Sequence, residues 1–236
     1  MQKPMLQWKN LQEIIKIYMM QKAIILGAGT YGHVYAEYLK NSYHIIGYID
    51  DDESLVGKAF NGIKVLGDRN FLFKKIDKDV AVFVPIGNND IRVGLLQQLN
   101  RLDFETPSFI HSQTIIHNSV KIGNACYILP NSCIMPCTIL NDFVMVSMGV
   151  NIAHHNIIED GCFFSQGSNI GASVHIKRKS YFGINSTLMT GVKNVGENAL
   201  IGAGAVVVKD VPDYAVMAGV PAKVLRYKDV SPILKV

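Results

Sequence analysis

Two adjacent histidines, His154 and His155, stand in the segment "NIAHHNIIEDG", among residues that are otherwise largely apolar. An imidazole titrates near neutrality and can take a proton from an attacking amine or hydroxyl, so the pair is a candidate general base. A second candidate lies in "IILGAGTYGHV", where Gly27, Gly29 and Gly32 form G-x-G-x-x-G, and "YIDDDE" follows with Asp50 and Asp51. Glycines at that spacing let a backbone approach phosphate, and an acid at that distance reaches a ribose in dinucleotide-binding folds. His33, beside Gly32, either touches a ligand or lies on a helix surface. Near the other end, Gly183 and Gly202 each follow an apolar residue. They either leave N–H groups open to a ligand or suit tight corners. Lys177, Arg178, Lys179, Lys193, Lys209, Lys223 and Arg226 cluster in the same region. Around one groove they would suit a polyphosphate; separately they are a solvated surface.

Composition narrows the alternatives. The 236 residues are 49% hydrophobic and 18% charged, with a formal net charge of +4, which is ample core material for one large or two small domains. There is no long basic run and no basic stripe interleaved with aromatics, so nucleic acid is not an expected partner. Cys126, Cys133, Cys137 and Cys162 lack the paired spacing of a zinc site and read as reduced thiols of a cytoplasmic protein. Residues 1–19 read as an N-terminal extension. Leu11, Ile14, Ile15 and Tyr18 share a helical face there, while Lys9, Glu13 and Lys16 break the apolar centre that a signal peptide or membrane span needs. A translation start near Met19 or Met20 is the other reading of this segment.

The elements that must position the histidines announce themselves by period. Every sixth residue from Ile110 to Leu188 is apolar, fourteen in succession. At the chain's own apolar frequency that run has a probability of roughly one in twenty thousand. Two residues before each lies a mostly small partner, among them Cys126, Ser132, Thr138, Val144, Val150, Asn156, Cys162 and Ser168. Large and small residues two apart share the inner face of a short strand, and the rest of each hexad turns a corner. A one-residue insertion after Leu188 shifts the register to Val195, Ile201 and Val207. Seventeen hexads predict a parallel β-helix of nearly six triangular coils, roughly 27 Å tall, spanning 108–211. Cys126 and Cys162 fall inside it as packing. His154 and His155 fall at a corner, outside the core and pointing in divergent directions, and Asn156 is the polar exception at an inward position. His111, His117 and His175 point outward.

Before the coil, "KAIILGAG", "HIIGYIDD" and "VAVFVPIGN" alternate with helical patterns around Val34–Leu39 and Arg92–Leu99. This predicts a small Rossmann-like βαβ domain over 20–107 with a parallel sheet, large enough for one mononucleotide half.

Taken together, "GAGTYGHV", "YIDD", "IGNND", the hexad array, "YFGINS" and "AGVPAKVLR" resemble the hexapeptide-repeat sugar acetyltransferases of the PglD/NeuD type. The resemblance covers about Lys22 to Arg226. It implies a left-handed β-helix, a homotrimer with active sites between subunits, acetyl-CoA as co-substrate, a nucleotide-linked amino sugar as acceptor, and neither metal nor NAD. By that resemblance Gly29, Tyr31, Gly32, His33, Asp50, Asp51 and Asn88 meet the nucleotide sugar. Gly183, Ile184, Gly202, Ala203 and Lys223 fall on the acetyl-CoA groove, to which 212–236 contributes. Counting back from "YFGINS" puts His154 on the family's catalytic histidine and His155 on its carboxylate, and Ala172, eighteen residues on, supplies an oxyanion N–H.

Two departures from the family stand out. His155 is neutral where a carboxylate is usual, and two close imidazoles depress each other's protonation. Phe163 replaces a second histidine. His155 itself as base, or a carboxylate such as Asp142 behind the pair, are the open alternatives. The implied activity is N-acetylation of a nucleotide-linked amino sugar for surface glycan synthesis. O-acetylation of sialic acid or another sugar is its nearest rival, with a non-catalytic sugar-nucleotide-binding protein more remote. A zinc carbonic anhydrase on the same coil would need an H-x-x-x-x-H pair that the chain lacks.

Overall fold

The computed structural model describes residues 20–229, so the expected extension over 1–19 lies outside the described residues. The chain forms two compact units, residues 20–86 with 95–107, and 87–94 with 108–229. The division differs from the simple boundary expected at 107/108, because residues 87–94 pack in the second unit.

In the first unit, β1 (Lys22–Leu26), α1 (Thr30–Leu39), β2 (His44–Ile49), β3 (Ala59–Phe60), β4 (Ile63–Gly67), α2 (Arg69–Lys75) and β5 (Ala81–Phe83) precede α3 (Asn89–Arg101). The sheet order is β3-β4-β2-β1-β5, parallel except where β3 meets β4. The three expected apolar runs are β1, β2 and β5. Sequence reading passes over β3, β4 and α2. Their signals are short but present: Asn61 and Gly62 both take positive φ in the two-residue β3–β4 hairpin, the usual role of an Asn-Gly pair. Asp68 caps α2 by accepting from the Phe71 N–H at 2.9 Å, and that hydrogen bond holds its carboxyl below the usual range.

In the second unit, seventeen two-residue strands, β6 to β22, run from Phe109–Ile110 to Val206–Val207. They stack in three parallel sheets with partners eighteen residues apart, as in Ile134↔Ile152↔Ile170, and nineteen apart past the insertion, as in Leu188↔Val207. The inward residues from Ile128 onward are buried, and so are their small partners. Ile110 is 44% exposed instead, since the first coil has no earlier coil to lie on. The eight-stranded sheet ends in a hairpin of β23 (Ala215–Gly219) and β24 (Ala222–Tyr227).

The corners obey a second rule that the apolar period does not show. From Ala125 to Asn185 the residue before each small inward position takes the left-handed conformation, whether it is Asn131, Cys137, Phe143, Gly149, His155, Gly161, Gly167 or Ser173. Inward polar groups are satisfied by backbone, for example Ser132 Oγ donating to the Ser147 carbonyl at 2.8 Å. Cys126 and Cys162 are buried free thiols whose pKa burial pushes up to about 12, so they are packing groups with almost no thiolate at neutral pH.

Candidate active site

His154 and His155 occupy the corner between the six-stranded and five-stranded sheets of the coil, and both are exposed. The expected divergence of the two rings is not what forms. Their Nδ1 atoms lie 2.9 Å apart, with the rings at 89° to each other. The reason is the corner rule: His155 has φ +57°, which turns its side chain back on its neighbour.

Asn156 supports this corner from inside. Its Nδ2 donates to the Ala153 carbonyl at 2.7 Å, and its Oδ1 accepts the Val174 N–H of the next coil at 2.8 Å. Thr138 Oγ1, one coil earlier, donates to the same Ala153 carbonyl at 2.8 Å. The polar exception at an inward position is therefore a strut for the histidine turn. The His155 N–H donates to Pro136 O, and His154 O accepts from the Ser173 N–H.

Ala172 lies one coil beyond His154, as the eighteen-residue stacking predicts. Its N–H points at Thr190 Oγ1 over 3.4 Å, a long contact that leaves the N–H weakly held. Asp142 sits at a different corner, where it accepts the Asn124 N–H at 2.8 Å, so within this chain it does not stand behind the histidines. Phe163 is buried and stacks on Tyr181 at 5.0 Å.

Gly183 and Ile184 lie at the corner that leads into the six-stranded sheet, and His154 lies at the corner that leads out of it. Between them, on the outer face of that sheet, runs an open groove of about 460 Å³ lined in part by Cys133, Met135, Ala153, Gly171, Met189 and Thr190. The glycine N–H groups are not open, however. Gly183 donates to Ile201 O at 2.7 Å and Gly202 to Met217 O at 2.8 Å. A Cβ on Gly183 would stand 2.6 Å from the Ala203 nitrogen, so close stacking of coils requires this glycine. Ile184, Ala203 and Lys223 are exposed, Lys223 on β24. The basic cluster is partly neutralised: Lys177, Arg178 and Lys179 pair with Asp213, Glu197 and Asp90. Lys193, Lys209, Lys223 and Arg226 are exposed.

In the first unit the three loop glycines differ in what holds them to glycine. Gly27 takes φ +107°. Gly32 has no room, since a Cβ there would lie 2.1 Å from the Gly27 carbonyl oxygen. Gly29, extended at φ −78°, has neither constraint, because a Cβ there would meet nothing within 4 Å. Asp50 is engaged by the loop itself: its two oxygens accept the Ala28 N–H at 2.8 Å and the Asp52 N–H at 3.0 Å. Asp51 pairs with Arg69 Nε at 2.7 Å. His33 turns inward rather than toward solvent, its ring 4.5 Å from Phe60 and 5.6 Å from Tyr48. Tyr31 is half-buried beside Tyr35.

Asn88, in the second unit, caps α3 by accepting the Ile91 N–H at 3.1 Å. One turn on is the group that sequence reading missed. Arg92 is fully buried, donating to Gly161 O at 2.8 Å, Asn89 Oδ1 at 2.9 Å and Phe143 O at 3.3 Å. Asn89 in turn donates to Lys179 O at 2.9 Å. The available signal was a polar i, i+3 pair on the same face as Leu96.

A family model described as the PglD N-terminal domain matches residues 22–99. The chain is 28% identical over 187 residues to GDP-perosamine N-acetyltransferase of Escherichia coli O157:H7, covering 76% of this chain and 82% of that one. The acetyltransferase domain of PglB from Neisseria gonorrhoeae superposes with a TM-score of 0.81 at 27% identity, over 87% of this chain and all of that one. PerB from Caulobacter crescentus, solved with CoA and GDP-perosamine, superposes with a TM-score of 0.79 at 25% identity, over 87% and 97% of the two chains. The coil shares the left-handed β-helix of these structures.

Proposed function

The chain belongs to the PglD/NeuD-type sugar acetyltransferases, and from that premise we propose that it transfers the acetyl group of acetyl-CoA to the amine of a nucleotide-linked amino sugar. The observation that carries this reading is the His154–His155 corner beside an open groove on the same coil face, on a chain whose other unit holds a glycine loop. Acetyl-CoA supplies the activated thioester. His154 takes the proton that the amine loses on becoming an amide. The Ala172 N–H, held only by a long contact to Thr190, is available to developing negative charge.

Exposed Ile184, Ala203 and Lys223 fit the co-substrate's extended chain and phosphates, whereas Gly183 and Gly202 serve by allowing the coils to stack. Gly29, with Tyr31 beside it, receives the nucleotide end. Gly32 and Asp50 shape that loop, and His33 packs behind it. Asp51, on the same unit, is a further proposed contact of the sugar nucleotide. The proposed assembly is a homotrimer working in the cytoplasm on precursors of surface glycans. No helix among the described residues is long and apolar enough to cross a membrane.

Gly29 offers a clean separation of binding from folding. Gly29→Ala should leave thermal stability within about 0.5 kcal/mol, while raising KM for the sugar nucleotide about tenfold, or about 1.4 kcal/mol. Gly32→Ala should instead cost about 1–3 kcal/mol of stability, because its Cβ collides with the Gly27 carbonyl. Melting curves and steady-state kinetics on the two variants check both.

The activity itself is tested by thiol release from acetyl-CoA with GDP-, UDP- and dTDP-linked amino sugars and free sialic acid. Turnover of a nucleotide amino sugar is the expected result. Turnover of sialic acid alone would make the enzyme an O-acetyltransferase, and failure to bind acetyl-CoA would remove the catalytic reading.

A further inference from the structure

Resting on the assignment of His154 as base, we propose that His155 is a positioning residue that takes a carboxylate's place as a neutral acceptor. The two rings hold one fixed pair of tautomers, with hydrogen on Nδ1 of His154 and on Nε2 of His155. The observation is the Nδ1···Nδ1 distance of 2.9 Å between perpendicular rings. Two bare nitrogens repel at that distance and two N–H groups collide, so one Nδ1 donates and the other accepts. A neutral imidazole carries a single hydrogen. If His154 keeps its hydrogen on Nδ1, its Nε2 lone pair is bare, as a base requires. His155, accepting at Nδ1, then holds its hydrogen on Nε2.

The backbone enforces the pairing. His155 has its left-handed φ and donates its N–H to Pro136 O, and His154 O is held by the Ser173 N–H. Stacking places Pro136 and Cys137 on one side of the pair and Ala172 and Ser173 on the other. Cys137 is the one titratable side chain among those four. The next carboxylates along the chain are committed elsewhere: Glu159 to His175 Nε2 at 2.6 Å, and Asp160 to the Asp142 N–H at 3.1 Å.

During transfer the amine nitrogen bonds to the acetyl carbon and its proton passes to His154 Nε2. The positive charge spreads through Nδ1–H···Nδ1 into His155. As the carbon–sulfur bond breaks, the proton leaves His154 for the thiolate, and both tautomers are restored. A carboxylate at position 155 would favour the charged form of the base more than a neutral imidazole does.

The tautomers are read directly by long-range proton–nitrogen NMR on the full chain labelled with 15N-histidine. The expected spectrum shows His154 protonated at Nδ1 and His155 at Nε2. Both rings protonated at Nε2, or the reverse assignment, overturns the proposal. The companion measurement is the pH profile of kcat/KM. His155→Glu should move the acid limb upward by about one pH unit. His155→Asn, which suits a positive φ, should lower kcat about tenfold with both KM values unchanged. An unmoved limb in His155→Glu overturns the positioning role. Full activity in His154→Asn would instead remove the base assignment, a failure that the spectrum reports separately from the shared proton.

Discussion

His154→Asn is expected to lower kcat by a factor of about 100 to 10,000 while leaving both KM values and the melting temperature nearly unchanged. That factor corresponds to about 2.7–5.4 kcal/mol of transition-state stabilisation. The separation from folding follows from where the side chain is. His154 is exposed, and it is the backbone carbonyl, not the ring, that accepts from Ser173. The struts of the corner, Asn156 and Thr138, bind Ala153 and the next coil without touching the imidazole. An asparagine keeps the corner and can still meet His155, but it cannot take up a proton at neutral pH. Thiol release under single-turnover conditions with saturating acetyl-CoA measures the chemical step. Residual activity near that of the intact enzyme would move the base elsewhere.

Arg92→Met is the corresponding expectation for folding: a loss of about 2–4 kcal/mol, seen as a melting temperature lowered by roughly 5–15 °C. Methionine matches the length of the arginine stem, so little cavity is left, and the loss is of hydrogen bonds. Without the guanidinium, the carbonyls of Gly161 and Phe143 and the Asn89 amide oxygen lose a donor away from water. The sign is not obvious in advance, because burying a guanidinium is itself costly. These oxygen acceptors, the Cys162 carbonyl at 3.5 Å and the Phe163 ring 5.8 Å from its carbon offset that cost here. Adding Asn89→Ala should give less than the sum of the two single losses, since both residues serve one network. A melting temperature equal to that of the unchanged chain would show the network to be energetically neutral.

The hexad period, read from sequence alone, determined the coil and its register. A two-residue strand has only one inward position beside its small partner, so an apolar residue every sixth place admits one folding, and the strand partners eighteen apart follow by counting. The one-residue insertion after Leu188 was legible for the same reason. The glycine loop, strands β1, β2 and β5 and the position of His154 at a corner were equally local properties.

What the tertiary structure alone decided are contacts between residues that no period connects. The convergence of His154 and His155 depends on the positive φ that His155 takes at its corner, and nothing in the letters HH reports it. The commitment of Asp50 to its own loop required the end of β2 to lie against Ala28. Sequence left the N–H groups of Gly183 and Gly202 either open to a ligand or at tight corners, and it is the strand stacked next to each that claims them, because a buried backbone donor cannot be left unpaired. Arg92 became a core residue only when α3 brought it to carbonyls more than fifty positions away. Sequence determined what repeats along the chain, and three-dimensional packing determined which polar groups must satisfy one another across it.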